Sequence, residues 1–312
     1  MNYVKMGLVF QPAGNYEWMH YYAATVTALD FDTFIRFYFT TRSKIDEFGN
    51  FKTYITYMDC DRADPRKIIY IHNKPLLEFG QAGTFDEHGT MIADVKFYDG
   101  KYFMYYLGWQ RSSNAPYLNR VGLATSDDGI NFVKISEGPV MGINRFVPFG
   151  YGNLSILIED GTFHMWYTHY KPWLKTDIGY RPNYDIRYGW SPNGLDWEFG
   201  ENCINPANDN EAIATPCVRK INGQYHMWYS YRPGIDSQGK SGAYRIGYAV
   251  SDNKIDWVRK DSLVDLNVSE SGWDSEMVCY PEVLDTKDNL FLFYCGNHYG
   301  RDGFGCAKIE NL

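Results

Sequence analysis

The sequence predicts an all-β protein, and three observations carry that prediction. Aromatic residues make up 18% of the chain, with 27 Tyr and 9 Trp, a composition that suits pleated strands better than helices. One passage occurs three times: "DGKYFMYYLGWQR", "DGTFHMWYTHYKPW" and "NGQYHMWYSYRPG", with Met104, Met165 and Met227 spaced 61 and 62 residues apart. A second marker follows each passage in fixed order: "GLATSDDGINF", "YGWSPNGLDW" and "GYAVSDNKIDW".

Each element follows from local chemistry. Asp99-Gly100, Asp160-Gly161 and Asn222-Gly223 open the three passages. Such pairs favour tight type I′ hairpins, because both central residues need positive φ. The apolar and aromatic run after each pair is a second strand. A longer loop follows, then a third strand and the marker. Ser126, Ser191 and Ser251 begin the marker, and Phe132, Trp197 and Trp257 end it. Two weaker copies flank these three: "IRFYFTTR" with "TYITYMDCD" ahead of them, and "LFLFYCGNHYG" with "FGCAKI" behind. Five units of four antiparallel strands read as a five-bladed β-propeller, since one blade alone leaves an apolar face exposed and must pack radially. The blades are expected at about 17–80, 81–145, 146–206, 207–268 and 269–312 in a single domain. The last copy lacks a fourth strand. The stretch Tyr3 to Phe10 is expected to supply it and close the ring, leaving no open radial edge.

Charge and cysteine usage bound the function. A net charge of -8 argues against a nucleic-acid partner or an anionic membrane surface. Cys60, Cys203, Cys217, Cys279, Cys295 and Cys306 form no C-x-x-C pair, which argues against a zinc knuckle or a thioredoxin-like motif. The opening "MNYVKMGLVFQPAGNYEW" lacks the apolar core of a secretory leader. No apolar run reaches the length of a membrane span. A cytoplasmic protein with free thiols is the expectation.

In a blade, the start of the first strand and the end of the second open on the same face. Residues that follow the second strand therefore converge on one mouth: Arg42, Trp109 and Arg111, His169 and Trp173, Arg232, then His298 and Arg301. Residues that precede the first strand converge there too. "DEHGTMIADV", "DNEAIATPCV" and "DSEMVCYPEV" align on Val95, Val218 and Val283. Asp86, Asp209 and Asp274 stand at one position of this alignment, and His88, Glu211 and Glu276 two residues later. Blade 3 offers Val147 and Phe149 instead, and blade 1 offers Trp18 and His20. Carboxylates beside Trp, His and Arg suit carbohydrate chemistry, in which one carboxyl serves as acid and another as base or nucleophile. Glu211 and Glu276 are the expected pair, with Asp86 adjusting charge. His88, Trp109, His169, Arg232, His298 and Arg42 are the expected substrate contacts. No cofactor is expected, although histidines from several blades leave room for a divalent metal in the central mouth.

The stretch "GTFDEHGTMIADVKFYDGKYFMYYLGW" followed by "VGLATSDDGINF" resembles the five-bladed propeller glycosidases of the arabinanase, xylosidase, invertase and mannoside-phosphorylase type. The resemblance extends over nearly the whole chain at the level of blades. It implies an Asp in the first blade as base or nucleophile, an Asp in the second tuning pKa, and a Glu in the third as acid. Asp86 carries over as the second-blade acid; blades 1 and 3 show no acid at the matching positions. The implied function is cleavage or transfer of a glycosidic bond on a carbohydrate or glycoconjugate. Two alternatives stay open: a non-hydrolytic enzyme on a sugar or sugar nucleotide, using a metal, and a glycan-binding propeller without catalysis.

Overall fold

A computed structural model describes residues 1–177, 179–235 and 242–312. Five four-stranded antiparallel sheets form the molecule. The first strand, β1 (Asn2–Phe10), stands apart from those that follow it in sequence. Blade 1 holds β2 (Tyr21–Phe31), β3 (Phe34–Arg42), β4 (Thr53–Asp61) and β5 (Ile68–Ile71). Blade 2 holds β6 (Thr90–Tyr98), β7 (Lys101–Arg111), β8 (Tyr117–Ser126) and β9 (Val133–Lys134). Blade 3 holds β10 (Tyr151–Glu159), β11 (Thr162–Thr176), β12 (Gly179–Ser191) and β13 (Glu198–Ile204). Blade 4 holds β14 (Ala212–Ile221), β15 (Gln224–Arg232), β16 (Arg245–Ser251) and β17 (Val258–Arg259). Blade 5 holds β18 (Cys279–Asp285), β19 (Leu290–Cys295) and β20 (Phe304–Glu310). Its fourth strand is β1, antiparallel to β20 from Asn2↔Glu310 to Phe10↔Phe304. The first and last strands thus close the ring within one sheet. Among the described residues, no helix is long and apolar enough to cross a membrane.

Both repeated markers have a mechanical reason. The Asp99-Gly100, Asp160-Gly161 and Asn222-Gly223 pairs all have positive φ at both residues, as a type I′ turn requires. In the second marker, Ser126 Oγ accepts from the Asp128 and Gly129 amides, and Asp128 Oδ1 from those of Ile130 and Asn131. Ser191 with Asn193, and Ser251 with Asn253, repeat the arrangement. The marker is a hydroxyl turn followed by an Asx turn. The two markers then bond to each other across blades. Tyr38 Oη donates to Gly129 O (2.7 Å), Tyr105 Oη to Gly194 O (2.9 Å), and Trp166 Nε1 to Lys254 O (2.9 Å). The closing aromatic of each marker packs edge-on against the same ring: Phe132 on Tyr38, Trp197 on Tyr105, Trp257 on Trp166.

At the axis, a ring of hydrogen bonds joins the inner strands. Asp94 Oδ2 accepts from Ile156 N–H of the next blade (2.7 Å), Ser155 Oγ from Val218 N–H (3.0 Å), Cys217 Sγ from Val283 N–H (3.1 Å), and Glu282 Oε1 from Ala28 N–H (3.0 Å). Thr27, at the same place in blade 1, turns its hydroxyl to Asp94 Oδ1 (3.2 Å) and closes the circle. Lys96 and Arg219 neutralise the two carboxylates at 2.8 Å each.

The acids ahead of the inner strands do not face this axis. Asp86 is buried and paired with Lys134 (2.6 Å), and it accepts from Tyr106 Oη (3.2 Å). Asp274 is paired with Lys5 (2.6 Å) and accepts from Tyr294 Oη (3.0 Å). Glu211 takes a bidentate bond from Arg259 (2.7 and 3.0 Å). Lys134, Arg259 and Lys5 lie at one register position of the outermost strand, opposite Ala124, Ala249 and Ala307. Each acid is therefore a strut running across its blade from the lead-in of the inner strand to the outer edge. Blades 1 and 3 hold apolar groups at the strut position, Ile71 opposite Met58 and Phe199 opposite Gly189, and they have no acid to match.

The axial ring and the struts should differ in what they contribute. Glu282→Ala removes the carboxylate partner of Arg219 and the acceptor of the Ala28 amide and should cost about 3–5 kcal/mol, read from the urea midpoint; Ser155→Ala, which loses one neutral bond, should cost about 1 kcal/mol. Asp86→Asn and Glu211→Gln should each cost about 2 kcal/mol while leaving ligand binding in the central mouth unchanged by titration calorimetry. Glu159 resists ionisation through burial, but bonds from Lys220, Lys254 and Tyr225 outweigh this and bring its carboxyl down to about 2. Its stabilising contribution is intact above its ordinary value of 4.5 and is lost as pH falls toward 2. Glu159→Gln should flatten that acid limb in thermal melts.

Candidate functional site

A pocket of about 440 Å³ with aromatic walls opens in the central mouth, on the face where second strands end. Thr25, Asn153, Thr215 and Tyr280 form its floor and also line a cavity of about 10 Å³ reaching down to Asp94 and Glu282. All five blades contribute walls. Tyr22, Arg42 and Phe51 come from blade 1, and Trp109, Tyr117 and Asn119 from blade 2. Tyr170, Trp173, Tyr180, Arg181 and Tyr184 come from blade 3, Arg232 and Tyr244 from blade 4, and Tyr299 from blade 5.

Blade 3 reaches furthest over this mouth. The loop expected between its second and third strands is instead a continuation of both, paired as far as Thr176↔Gly179. That arm carries Trp173, Tyr180, Arg181 and Pro182 to the pocket rim. Trp109 and Tyr117 lie with ring planes 3° apart, and Trp173 meets Tyr117 edge-on at 5.3 Å. These faces offer flat apolar surface edged with hydroxyls. Burial raises the Tyr170, Tyr184 and Tyr280 phenols well above their ordinary range, so they remain protonated donors. Asn119 Nδ2 donates to Tyr170 Oη, while the buried Oδ1 atoms of Asn119 and Asn153 have no partner among the described residues.

Backbone strain gathers at the same place. Tyr22, Thr25, Thr215, Tyr280 and Tyr299 all line the pocket with φ between 48° and 65°. For β-branched Thr25 and Thr215 this conformation is a genuine outlier. Most other non-glycine residues with positive φ sit in hairpin turns. Strain of about 1–3 kcal/mol per residue persists where surrounding structure enforces it, and it clusters at ligand sites.

The electrostatics of the pocket run against those of the chain. Its described walls contain three guanidinium groups and no carboxylate. Arg42 lies 3.8 Å above the Tyr22 ring centroid and 4.4 Å from that of Phe51, and its guanidinium makes no hydrogen bond or ion pair with a described residue. Enclosure by protein lowers its pKa, partly offset by the Tyr22, Tyr280 and Tyr117 phenols. Arg232 is buried with its donors on the carbonyls of Gly234, Ile235 and Pro182 and on Tyr244 Oη.

Of the residues expected here, Arg42, Trp109 and Arg232 line the pocket. His88 stands behind Trp109, 6.3 Å between ring centroids, with burial lowering its pKa. His169 is turned away toward Asp185, at 2.9 Å. His298 is on an exposed turn, 3.6 Å from Asp302. Glu211 and Asp86 are the struts described above. Glu276 is exposed and bonded through its backbone to Asn297 and Arg245. The structure does not bring the three acids together: Asp86 and Glu211 run outward along their sheets to Lys134 and Arg259, and the Glu276 side chain is exposed. Tyr117, Asn119, Tyr180 and Tyr184 escaped the sequence argument. They lie at the start of third strands, which open on the same face as second-strand ends, and antiparallel pairing alone could have found them. Among the described residues, no three His, Cys, Asp or Glu side chains gather as a metal site.

No family model matches the chain. Uncharacterized protein MT1551 of Mycobacterium tuberculosis (strain CDC 1551 / Oshkosh) is 32% identical over 320 residues, covering 100% of both chains. The 1,2-beta-oligomannan phosphorylase of Thermoanaerobacter sp. (strain X514) is 27% identical over 234 residues, covering 73% of this chain and 71% of that one. Among solved structures, one described as "Glycoside hydrolase" superposes with a TM-score of 0.76 at 15% identity over 99% of this chain and 92% of the other. A structure described as "The GH130 family of mannoside phosphorylases contains glycoside hydrolases that target beta-1,2 mannosidic linkages in Candida mannan" gives 0.73 at 15% identity, over 99% and 94%. The structural likeness extends to the fold, a glycoside hydrolase-like propeller of five blades. With a full-length match at 32% identity, the chain belongs to one family with protein MT1551 of Mycobacterium tuberculosis.

Proposed function

We propose that the protein is carbohydrate-active, taking the end of a glycan into the mouth pocket and cleaving or transferring its glycosidic bond. The observation that carries this reading is the pocket itself: flat aromatic faces interleaved with hydroxyl, amide and guanidinium groups, at the centre of a five-bladed propeller. A volume of about 440 Å³ holds roughly two pyranose rings. Trp109 and Trp173 would stack against sugar C–H faces, and Asn119 and Asn153 would accept from ring hydroxyls through their unpartnered oxygens. The Thermoanaerobacter relatives, named 1,2-beta-oligomannan phosphorylase and beta-1,2-mannobiose phosphorylase, make β-mannosides the first substrates to test. Neither a metal nor an organic cofactor enters this reading.

One observation favours a second reading, glycan capture without turnover. The described walls hold no carboxyl and no imidazole, and protonation of a leaving glycosidic oxygen ordinarily draws on such a group.

The test incubates the protein with β-1,2-mannobiose and a wider glycan panel, with and without phosphate, while binding is followed calorimetrically. Released sugar or sugar 1-phosphate supports the first reading, and saturable binding without product supports the second. Trp109→Ala should weaken binding roughly tenfold in either case, by about 1–2 kcal/mol of lost stacking. A panel that yields neither binding nor product overturns both.

A further inference from the structure

We propose that the sugar accepted by this pocket carries its own negative charge, a carboxylate or a phosphate ester, and that Arg42 reads it. The inference rests on the carbohydrate reading and specifies its substrate class. Its starting point is a missing partner. Acids outnumber bases in the chain, 38 to 30, and Asp86, Asp94, Glu159, Glu211, Asp274 and Glu282 each have a cation beside them. Arg42 has no carboxylate partner among the described residues, and no described carboxylate lines the pocket it faces.

The setting of Arg42 is built. The Tyr22 and Phe51 rings lie 3.8 and 4.4 Å from its Cζ. A guanidinium resting on aromatic rings engages them through its face, and no described residue takes a hydrogen bond from the N–H edge of Arg42. That edge is a planar fork of donors matched to two oxygens of one carboxylate or phosphate. Phe51 also packs against Trp109, with centroids 5.5 Å apart. One ring thus separates the cation from the stacking surface, which suits a ligand whose anionic group and sugar face belong to the same residue. Arg232 cannot serve in the same way, because its donors are committed to carbonyls and Tyr244; it adds positive potential without a free fork. A neutral sugar entering the pocket would strip water from Arg42 and return only weak hydroxyl contacts, whereas an anion replaces that water with charge-assisted bonds.

Calorimetric titration of the full chain with matched pairs tests this: glucuronate against glucose, galacturonate against galactose, mannose 6-phosphate against mannose, and inorganic phosphate alone. At least one charged sugar should bind roughly ten-fold or more tighter than its neutral parent, and the difference should shrink with added salt. Arg42→Met, which keeps an unbranched apolar stem beside the rings, should lower charged-sugar affinity roughly 10- to 100-fold and that of the neutral parent by far less. Arg42→Lys, which keeps the charge and loses the fork, should fall between the two and serves where the Met variant does not fold. Equal affinity within every pair overturns the proposal while leaving the carbohydrate reading intact. So does Arg42-dependent binding of inorganic phosphate as tight as that of any charged sugar, which would assign the charge to a separate ion. Absence of binding by every sugar overturns both.

Discussion

The five sheets are fixed to one axis by a circle of buried side chains, four of them accepting an inner-strand amide from the next blade and the fifth donating its hydroxyl to the first. Asp94, Ser155, Cys217 and Glu282 fill four places, and the Thr27 hydroxyl completes the fifth. Inner strands in a propeller have no sheet neighbour on the axial side, so their amides there would otherwise be buried without partners. The circle removes that cost, and it sets how far each blade can slide past its neighbour. The pocket floor lies one step along the same strands, with Thr25, Thr215 and Tyr280 held at positive φ. An enforced register below is what allows strain to persist above.

Further from the axis, two kinds of repetition in the sequence do different work. The aromatic passages and the Ser-led turns bond to each other across blades, so their spacing had to be kept. That is why the blade count, the hairpin turns and the closing role of Tyr3 to Phe10 were legible from residues alone. The acids ahead of the inner strands also repeat, and their repetition misled. Asp86, Glu211 and Asp274 recur because blades 2, 4 and 5 each tie the inner lead-in to a cation on the outermost strand. Strand alternation says which face of a sheet a residue lies on; it does not say whether a side chain in the lead-in turns toward the axis or along the sheet. The partner that decides this, Lys134 or Lys5, lies in a different strand and far away in sequence. Blades 1 and 3 carried the clue: they lack the acid and also the outer cation, which marks the pair as one structural unit.

Residues that face the mouth obey the opposite rule, because none needs to match another blade. Arg42 ends β3, Trp109 lies near the end of β7, and Arg232 ends β15; position in the strand was enough to place them. His169 defeats the same argument. It pairs in register with Asp185 across β11 and β12, and its imidazole follows that carboxylate to the other face of the blade, while Thr168 and Tyr170 on either side of it line the pocket. The blade 3 arm was illegible for a related reason. Its Lys, Asp and Gly content reads as loop, and only the pairing of Lys171 through Thr176 with Gly179 through Asn183 makes it a strand extension.

Seen together, these placements amount to a partition of charge. Carboxylates are held at the axis and along the blades, each with a cation close enough to cancel its field. What remains at the mouth is an excess of guanidinium enclosed by aromatic rings, in a chain whose net charge is -8. A pocket of this sign on a protein of the other sign does not arise from composition. It requires that acids be kept off the described wall segments while Arg42 has no acidic partner among the described residues, at the desolvation cost that its lowered pKa registers. An arginine serving only to pack would be better replaced by methionine or leucine, which would fill the gap between Tyr22 and Phe51 without that penalty. Held in that slot, with no partner for its fork among the described residues, Arg42 gives the pocket a preorganised charge, and preorganisation directs selectivity before any bond is broken.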